Sequence, residues 1–214
     1  ELPQDEEEID EVETKAGDLK IRLSKKAKDG KTVTIKTDGY QVKWGLEGMN
    51  KVRMEEIPAP ELLTDDPNEE FLRLQNLTNE VIYEEIYPDV DLQYFLTPTS
   101  VKENIILNSA DAQRVFTEIY DIGKLEAVQI DERTIHLYDP NDTEQETPVF
   151  RILAPEMTDA AGSFSGDVTI ELVEQKNKRI KIEICPDSGW LDDEEREYPV
   201  AIDPFIFTDQ ESDQ

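Results

Sequence analysis

The chain has few of the side chains that carry covalent or metal chemistry. Its 214 residues include one cysteine, Cys185, and one histidine, His136. A single cysteine excludes a disulfide within the chain. The common zinc sites need several His or Cys ligands, so one of each excludes them as well. A Ser–His–Asp or Cys–His catalytic arrangement would have to use His136.

Both residues have an ordinary structural explanation. His136 lies between Ile135 and Leu137, so it points outward if those two neighbours point into the core. Cys185 follows Ile184, the last of three alternating isoleucines, and is out of phase with them. Its acidic neighbourhood does not favour a reactive thiolate. We therefore expect a solvent-facing histidine and a cysteine without a catalytic role.

Long apolar runs are also missing. No segment is long and apolar enough to cross a bilayer, and no signal-peptide pattern is present. The chain opens with Glu1 rather than Met, which is typical of a trimmed polypeptide. The missing signal is therefore no sign of a cytoplasmic protein, and we expect no direct membrane insertion.

Basic residues are scarce relative to acidic ones. There are 51 Asp and Glu against 22 Lys and Arg, which gives a formal net charge of −29. A field of that sign repels phosphate backbones and anionic lipid. From this average we predict that nucleic acid is not a partner and that the charge serves solubility. Binding of divalent cations, or docking to a basic or polyhydroxylated surface, is the alternative interpretation.

What is abundant is alternation of apolar and polar residues, interrupted by turn signals. Hydrophobic residues make up 37 % of the chain, enough for a core in a chain of this length. Segments 90–96, 168–172 and 180–184 alternate clearly, and Asp29-Gly30 and Asp38-Gly39 are hairpin-type turns. We predict an all-β, sandwich-like fold of mostly antiparallel strands with at most short helical turns.

Composition also suggests the domain boundaries. Residues 1–17 form an acidic leader, which we expect to be flexible. Residues 18–207 form the sandwich-type domain, and 208–214 a linker. A stretch rich in Pro, Asp and Glu at 58–70 would divide the domain if it has two subdomains.

Two segments are harder to interpret. Residues 111–120 fit a helix start or a strand, and the strand-rich surroundings favour a strand. Pro199 and Pro204 flank Val200 and Ile202. Because proline cannot donate to a central ladder, this pattern predicts a short edge strand.

Four blocks of sequence occur in a distinctive order, namely Tyr40–Trp44, Tyr87–Tyr94, Val101–Asn108 and Trp190–Pro204. Together they resemble the β domain on the N-terminal side of large bacterial wall-associated and Rhs-repeat proteins. In that family the domain is commonly followed by a DNRLRE-type adhesion domain. The resemblance covers roughly Asp18 to Phe207.

The resemblance implies a protein that is secreted or held at the bacterial cell surface. It implies a non-catalytic, structural or adhesive module, a scaffold or spacer for neighbouring domains of a longer polypeptide. The implied partners are those domains and a cell-wall or host glycan or protein. No enzyme activity and no catalytic or cofactor-binding residue follow from it. The alternative is a carbohydrate-binding module of a polysaccharide-active surface protein.

The candidate sites are few. Calcium prefers several oxygen donors on a bent loop, and Asp139, Asn141, Asp142 and Glu144 offer that density. The run Asp192–Glu195 offers it too. Apart from calcium, no cofactor is expected.

Aromatic and paired acidic residues supply the other candidates. Trp44 and Trp190 would bind a ligand such as a sugar if their rings were exposed. Asp89, Asp91 and Glu103 are the first candidates for a glycosidase-type carboxylate pair. Core packing for the rings, and turn or strand positions for the acids, are the simpler explanations.

Overall fold

The computed structural model describes residues 11–13, 20–37, 39–57, 79–96 and 101–208. Within these ranges nearly all regular structure is antiparallel strand, with one four-residue helix. The strands form two sheets that share one hydrophobic core. The predicted all-β, sandwich-like fold is therefore confirmed.

The first sheet has seven strands in the spatial order β1-β2-β3-β4-β9-β15-β14. They are β1 (Glu11–Glu13), β2 (Lys20–Ser24), β3 (Val33–Thr37), β4 (Tyr40–Leu46), β9 (Phe116–Asp121), β15 (Arg179–Pro186) and β14 (Val168–Lys176).

The second sheet has nine strands. Eight follow the order β10-β11-β12-β16-β8-β7-β6-β5, and β13 pairs with β12 beside this path. They are β10 (Glu126–Asp131), β11 (Thr134–Tyr138), β12 (Phe150–Thr158), β16 (Val200–Thr208), β8 (Val101–Leu107), β7 (Val90–Leu96), β6 (Asn79–Tyr87), β5 (Glu55–Ile57) and β13 (Phe164–Ser165).

The core is built from side chains at every second position along each strand. In β7 every second residue is buried, and these inward side chains are at most 3 % exposed. In β15 the inward residues Ile180, Ile182 and Ile184 are at most 1 % exposed. Burying one such side chain stabilises the fold by about 1.5–3 kcal/mol. This alternation is why the predicted hairpin of 168–172 and 180–184 forms, as β14 and β15.

Two glutamine side chains join the sheets along one side. Gln129 on β10 donates from Nε2 to the carbonyl of Ile170 on β14, and its Oε1 accepts from the backbone N–H of Leu172 at 2.7 Å. The Oε1 of Gln175 on β14 accepts from the backbone N–H of Ala127 at 3.2 Å. These bonds satisfy backbone groups at two sheet edges that do not pair directly.

The C-terminal part closes the fold. Helix α1 (Ser188–Leu191) is capped by Asp187, whose side chain accepts from the backbone N–H of Trp190 at 2.7 Å. Leu191 is 1 % exposed and packs in the core. The guanidinium of Arg196 lies 3.4 Å from the Trp190 ring centre and donates to the Asp159 carboxylate at 2.6 Å.

The edge strand predicted at Val200–Ile202 is wrong, because β16 lies in the middle of its sheet. It pairs with β12 along most of its length and with β8 over Val200–Ile202. Pro204 lies beyond the part paired with β8, and the register on β12 shifts at this level. The ladder therefore does not need the N–H that proline lacks.

The strand expected over residues 111–120 is shorter, since β9 begins at Phe116. The leader 1–17 lies outside the described residues except for β1, and so do the division at 58–70 and most of the linker 208–214. The proposed domain boundaries stay a prediction.

Candidate functional site

His136 and Cys185 lie out of phase with the buried residues of their strands, as the alternation of the sequence predicted. Ile135 and Leu137 are fully buried, while His136 is half-buried and its Nδ1 lies 2.9 Å from the Tyr138 hydroxyl. Burial, with the Glu183 carboxylate beside it, raises the pKa of the Cys185 thiol to about 11. A thiol with a raised pKa is a poor nucleophile at neutral pH.

The candidate calcium loop is held by hydrogen bonds of its own. The Asp139 carboxylate accepts from the Tyr40 hydroxyl at 2.6 Å, from the Asn141 backbone N–H at 2.8 Å and from the Asn141 amide at 2.6 Å. Lys124 lies 3.2 Å from it. The Tyr40 hydrogen bond is the main reason why the pKa of Asp139 is low. Among the described residues no group of three or more His, Cys, Asp or Glu is placed to hold a metal ion.

Asp142 also uses its carboxylate within the loop, accepting from the backbone N–H of Thr147 at 3.2 Å. Glu144, the remaining acid of the set, is exposed. Calcium binding at this loop stays a prediction, which a calorimetric titration of the chain with calcium tests.

The two tryptophans have different environments. Trp44 is 2 % exposed, stacks on Tyr120 with ring centres 5.9 Å apart, and donates from Nε1 to Glu103 at 2.8 Å. Trp190 is half-buried, with Arg196 over its ring. Ligand binding by either ring stays a prediction, and Trp190 is the one with accessible surface.

Two carboxyl groups meet inside the core. Glu103 on β8 and Glu118 on β9 project inward from opposite sheets and are 4 % and 1 % exposed. Trp44 donates to Oε2 of Glu103, and the Tyr120 hydroxyl donates to Oε2 of Glu118 at 2.6 Å. Neither Oε1 atom has a donor among the surrounding groups. A proton on one of the two carboxyl groups would supply a donor to the other.

The electrostatics of this pair agree with a shared proton. Burial raises the pKa of Glu118 well above its usual range, and the neighbouring Glu103 raises it further. Burial also raises the pKa of Glu103, while its hydrogen bonds, first that from Trp44, oppose the rise. Two like charges in a low-dielectric core cannot both ionise easily. The pKa of Glu118 is raised more than that of Glu103, which favours protonation of Glu118.

Neither carboxyl group of this pair reaches solvent, so a large substrate cannot contact it. Asp89 and Asp91, the other predicted acids, are at the surface instead. Asp89 accepts from the Ser109 hydroxyl at 3.0 Å, and Asp91 from the Asn108 amide at 2.8 Å. The structure thus separates Glu103 from the two residues with which the sequence grouped it.

Two surface grooves share Arg133. The larger, of about 710 Å³, is lined by acids that include Glu132, Asp167 and Asp187. The Arg133 guanidinium already donates to the carbonyls of Gly166 and Val168. These two bonds use Nη1 and fix the orientation of the guanidinium between the two grooves.

Positive charge is concentrated in one part of the chain. Ten of the 22 Lys and Arg lie between Lys20 and Arg53, a stretch with three acidic residues, so this stretch carries +7 in a chain of −29. None of these ten side chains is buried. The stretch includes β2, β3, β4 and their connections.

The strand register brings several of these charges onto the outer face of the first sheet. Lys20 lies opposite Lys36, and Arg22, Thr34 and Lys43 form the next row, which continues through Asp121 to Arg179. The inward residues of β2, β3 and β4 alternate with them and are buried. We define the basic face as Lys20, Arg22, Lys36, Lys43, Arg179 and Lys181.

The basic face is not explained by folding stability. Like charges directly opposite each other on neighbouring strands destabilise a sheet. Acidic side chains offset the face in part, since Glu47 lies 2.7 Å from Lys181 and Glu11 lies 3.8 Å from Arg22. In the second row Asp121 lies between Lys43 and Arg179, so the directly opposed like charges are those of Lys20 and Lys36.

The fold and this face define a class: an acidic, two-sheet β protein with a basic sheet surface. No protein-family profile matches the chain, and no solved structure matches it. The chain is similar to curated proteins named WapA.

These relatives are tRNA nucleases by name. The chain is 27 % identical over 209 residues to the tRNA(Glu)-specific nuclease WapA of Bacillus subtilis subsp. natto (strain BEST195). It is 27 % identical to the tRNA3(Ser)-specific nuclease WapA of Bacillus spizizenii and 26 % identical to the tRNA nuclease WapA of Bacillus subtilis strain 168. Each match covers 95 % of this chain and 8 % of the relative, so the chain spans a small part of their length.

The similarity overturns the assignment made from the sequence blocks. The relatives are nucleases rather than generic wall-associated or Rhs-repeat modules that precede a DNRLRE domain, so that assignment is wrong. The predicted purely structural or adhesive role, the carbohydrate-binding alternative and the expected absence of enzyme activity are corrected for the same reason. The partner prediction, which excluded nucleic acid, is corrected too.

The partner prediction used the net charge of the whole chain, which does not describe the charge of one surface. Binding depends on the local field, which a Debye length of about 8 Å limits at physiological ionic strength. Packed sheets are about 10 Å apart, so the outer face of one is largely screened from charges on the outer face of the other. Acidic residues elsewhere therefore do not cancel the basic face.

The predicted secreted or surface setting is supported in part, and its finer placement belongs to the proposal below. Over the described ranges, no helix has the length and apolar character needed to cross a membrane.

Sequence reasoning missed two features, the partner of Glu103 and the basic face. Glu118 is in phase with the inward Phe116 and Tyr120, and Glu103 is in phase with the inward Ile105. The alternation of inward and outward residues along each strand could have identified both acids as buried. Counting charge in windows could have found the basic stretch, although not its register.

Proposed function

We propose that this chain is part of a polypeptide that cleaves tRNA. The observation that carries the proposal is the similarity of 209 residues, nearly the whole chain, to three proteins named as tRNA nucleases. Cleavage is assigned to the polypeptide as a whole, since the chain spans 8 % of the length of these relatives.

Within that polypeptide, we assign to this chain a contact with the phosphate backbone of tRNA. On the basic face Lys20 lies directly opposite Lys36 on the neighbouring strand, and Lys43 lies diagonally from Lys36 on the next strand. Lysine binds phosphate as a point charge without reading sequence. The face would hold tRNA and contribute little to the choice among tRNAs.

The setting of this activity is a finer proposal. We place the polypeptide outside the cytoplasm of the producing cell, at the wall or released from it. Fractionation of a producing culture with an antibody to this chain tests the placement, and recovery only from the cytoplasm would refute it.

Cleavage is tested with the full polypeptide and a pool of tRNA, resolved by denaturing gel electrophoresis. We expect loss of one or a few tRNAs with appearance of defined fragments. An intact tRNA pool, under conditions in which the polypeptide is folded, would reject the proposal.

The tRNA contact is tested with this chain by measuring affinity at several salt concentrations. In the variant Lys36→Gln/Lys43→Gln we expect weaker binding, with the slope of log K against log salt reduced by about one for each phosphate that is no longer bound. The matched control is Lys102→Gln/Arg114→Gln, which removes the same charge from surface ion pairs elsewhere. Equal losses of affinity in both variants would mean that net charge, rather than the basic face, governs binding.

A further inference from the structure

We propose that strand β1 regulates the basic face as a displaceable acidic cover. This inference rests on the proposed tRNA contact. Two of the three residues of β1, Glu11 and Glu13, are acidic. β1 pairs with β2 at the edge of the sheet, where the basic face begins.

The register places β1 beside the basic residues. Glu11 lies opposite Ser24, and Glu13 lies opposite Arg22. The Glu11 carboxylate is 3.8 Å from the Arg22 guanidinium. Because β1 is antiparallel to β2, its Glu11 end lies at the end of β2 that leads into Lys25 and Lys26. An anionic strand thus occupies a position that a phosphate backbone on the basic face would approach.

The attachment of β1 is weak enough to be displaced. It pairs over three residues and has a neighbouring strand on one side only. Short edge strands open at low free energy. The Glu11 and Arg22 side chains are 51 % and 35 % exposed, and an ion pair so exposed contributes little. A polyanion with several phosphates can therefore compete with β1 for the same cations.

Competition sets a direction for the effect on tRNA binding. While β1 is docked, it neutralises part of the basic face and lowers the affinity for tRNA. When β1 leaves, its carboxylates no longer offset the positive charge at the edge of β2. Binding of tRNA and docking of β1 are then mutually exclusive, so each weakens the other.

The test compares tRNA affinity of the intact chain and of two β1 variants at the same low salt. Glu11→Gln removes the ion pair, and Val12→Pro removes a backbone donor from the β1–β2 ladder. We expect both to bind tRNA about two- to fivefold more tightly than the intact chain. Glu56→Gln, on the exposed edge strand β5 of the other sheet, is the matched control and should bind as the intact chain does.

A second readout follows β1 directly. On addition of tRNA, the backbone amide of Leu23, which faces Val12 of β1, should lose hydrogen-exchange protection as β1 is displaced. β1 variants with unchanged affinity, alongside weaker binding by Lys36→Gln/Lys43→Gln, would overturn the inference and leave the tRNA contact standing. No tRNA binding by any variant would instead overturn the tRNA contact, and the inference with it.

Discussion

The buried pair Glu103 and Glu118 should make the stability of this chain depend on pH in a defined direction. Burial raises the pKa of both groups above the ordinary value of 4.5, that of Glu118 most. A raised carboxyl pKa means that the folded chain holds a proton that the unfolded chain releases. The stabilisation is complete below the ordinary value and is lost as pH rises through the raised value.

The magnitude follows from one proton. For each pH unit between the ordinary and the raised pKa, the free energy of unfolding falls by about 1.4 kcal/mol. The pair titrates as a unit, and burial and the carboxylates likewise raise the pKa of the surrounding Tyr94 and Tyr120 hydroxyls, so these phenols stay protonated. The charge of the nearby Asp203 raises the pKa of Glu103, whereas the hydrogen bond with Glu118 lowers it.

Glu118→Gln isolates this effect. The glutamine amide can donate to Glu103 permanently, as the protonated acid does, while its carbonyl still accepts from Tyr120. We expect the variant to match the natural chain in acid and to exceed it in stability as pH rises. The slope of unfolding free energy against pH should differ between the two by about 1.4 kcal/mol per unit.

The assay is urea unfolding followed by tryptophan fluorescence, repeated between about pH 5 and 8. The exposed substitution Glu56→Gln controls for the loss of one negative charge from a very acidic chain. If Glu118→Gln and Glu56→Gln change the slope equally, the shared proton does not exist and the reasoning fails.

Other expectations follow from packing and reactivity. Trp44→Ala should lower the free energy of unfolding by about 3–5 kcal/mol, because the ring is 2 % exposed. Trp190 is half-buried, so Trp190→Ala should lower it by less. Equal unfolding midpoints of the two variants would contradict this. Cys185 should be alkylated slowly at pH 8 and faster toward its pKa of about 11, measured by mass spectrometry; rapid labelling at pH 8 would disagree. Gly45→Ala should destabilise by about 1–3 kcal/mol, because a Cβ would lie 2.8 Å from Thr32 Oγ1, while Gly166→Ala, which meets open space, should be nearly neutral in thermal melts.

Much of the fold could be predicted because alternation and turn chemistry act locally. The inward isoleucines of β15 and the hairpin with β14 follow from a period of two and a turn at Asn177. Asp29-Gly30 forms a turn between β2 and β3, with Gly30 at a φ of 61°. These signals depend on neighbouring residues in the sequence, so they can be recognised without the tertiary structure.

What could not be predicted depends on the order of strands in space. Pro204 suggested an edge, but the ladder to β8 ends before it. The approach of Glu118 to Glu103 depends on two sheets facing each other, which no local pattern states. The basic face likewise can be recognised only from the register of β2, β3 and β4. The net charge of the chain does not show it, because acidic residues elsewhere outnumber the basic ones.

The central position of β16 has a consequence for biosynthesis. Its neighbours β12 and β8 have no other strand between them, so the second sheet stays split until the segment up to residue 208 has emerged from the ribosome. Until then both halves present open hydrogen-bonding edges to any neighbouring chain. Truncations before Val200 should therefore aggregate rather than yield a smaller folded unit.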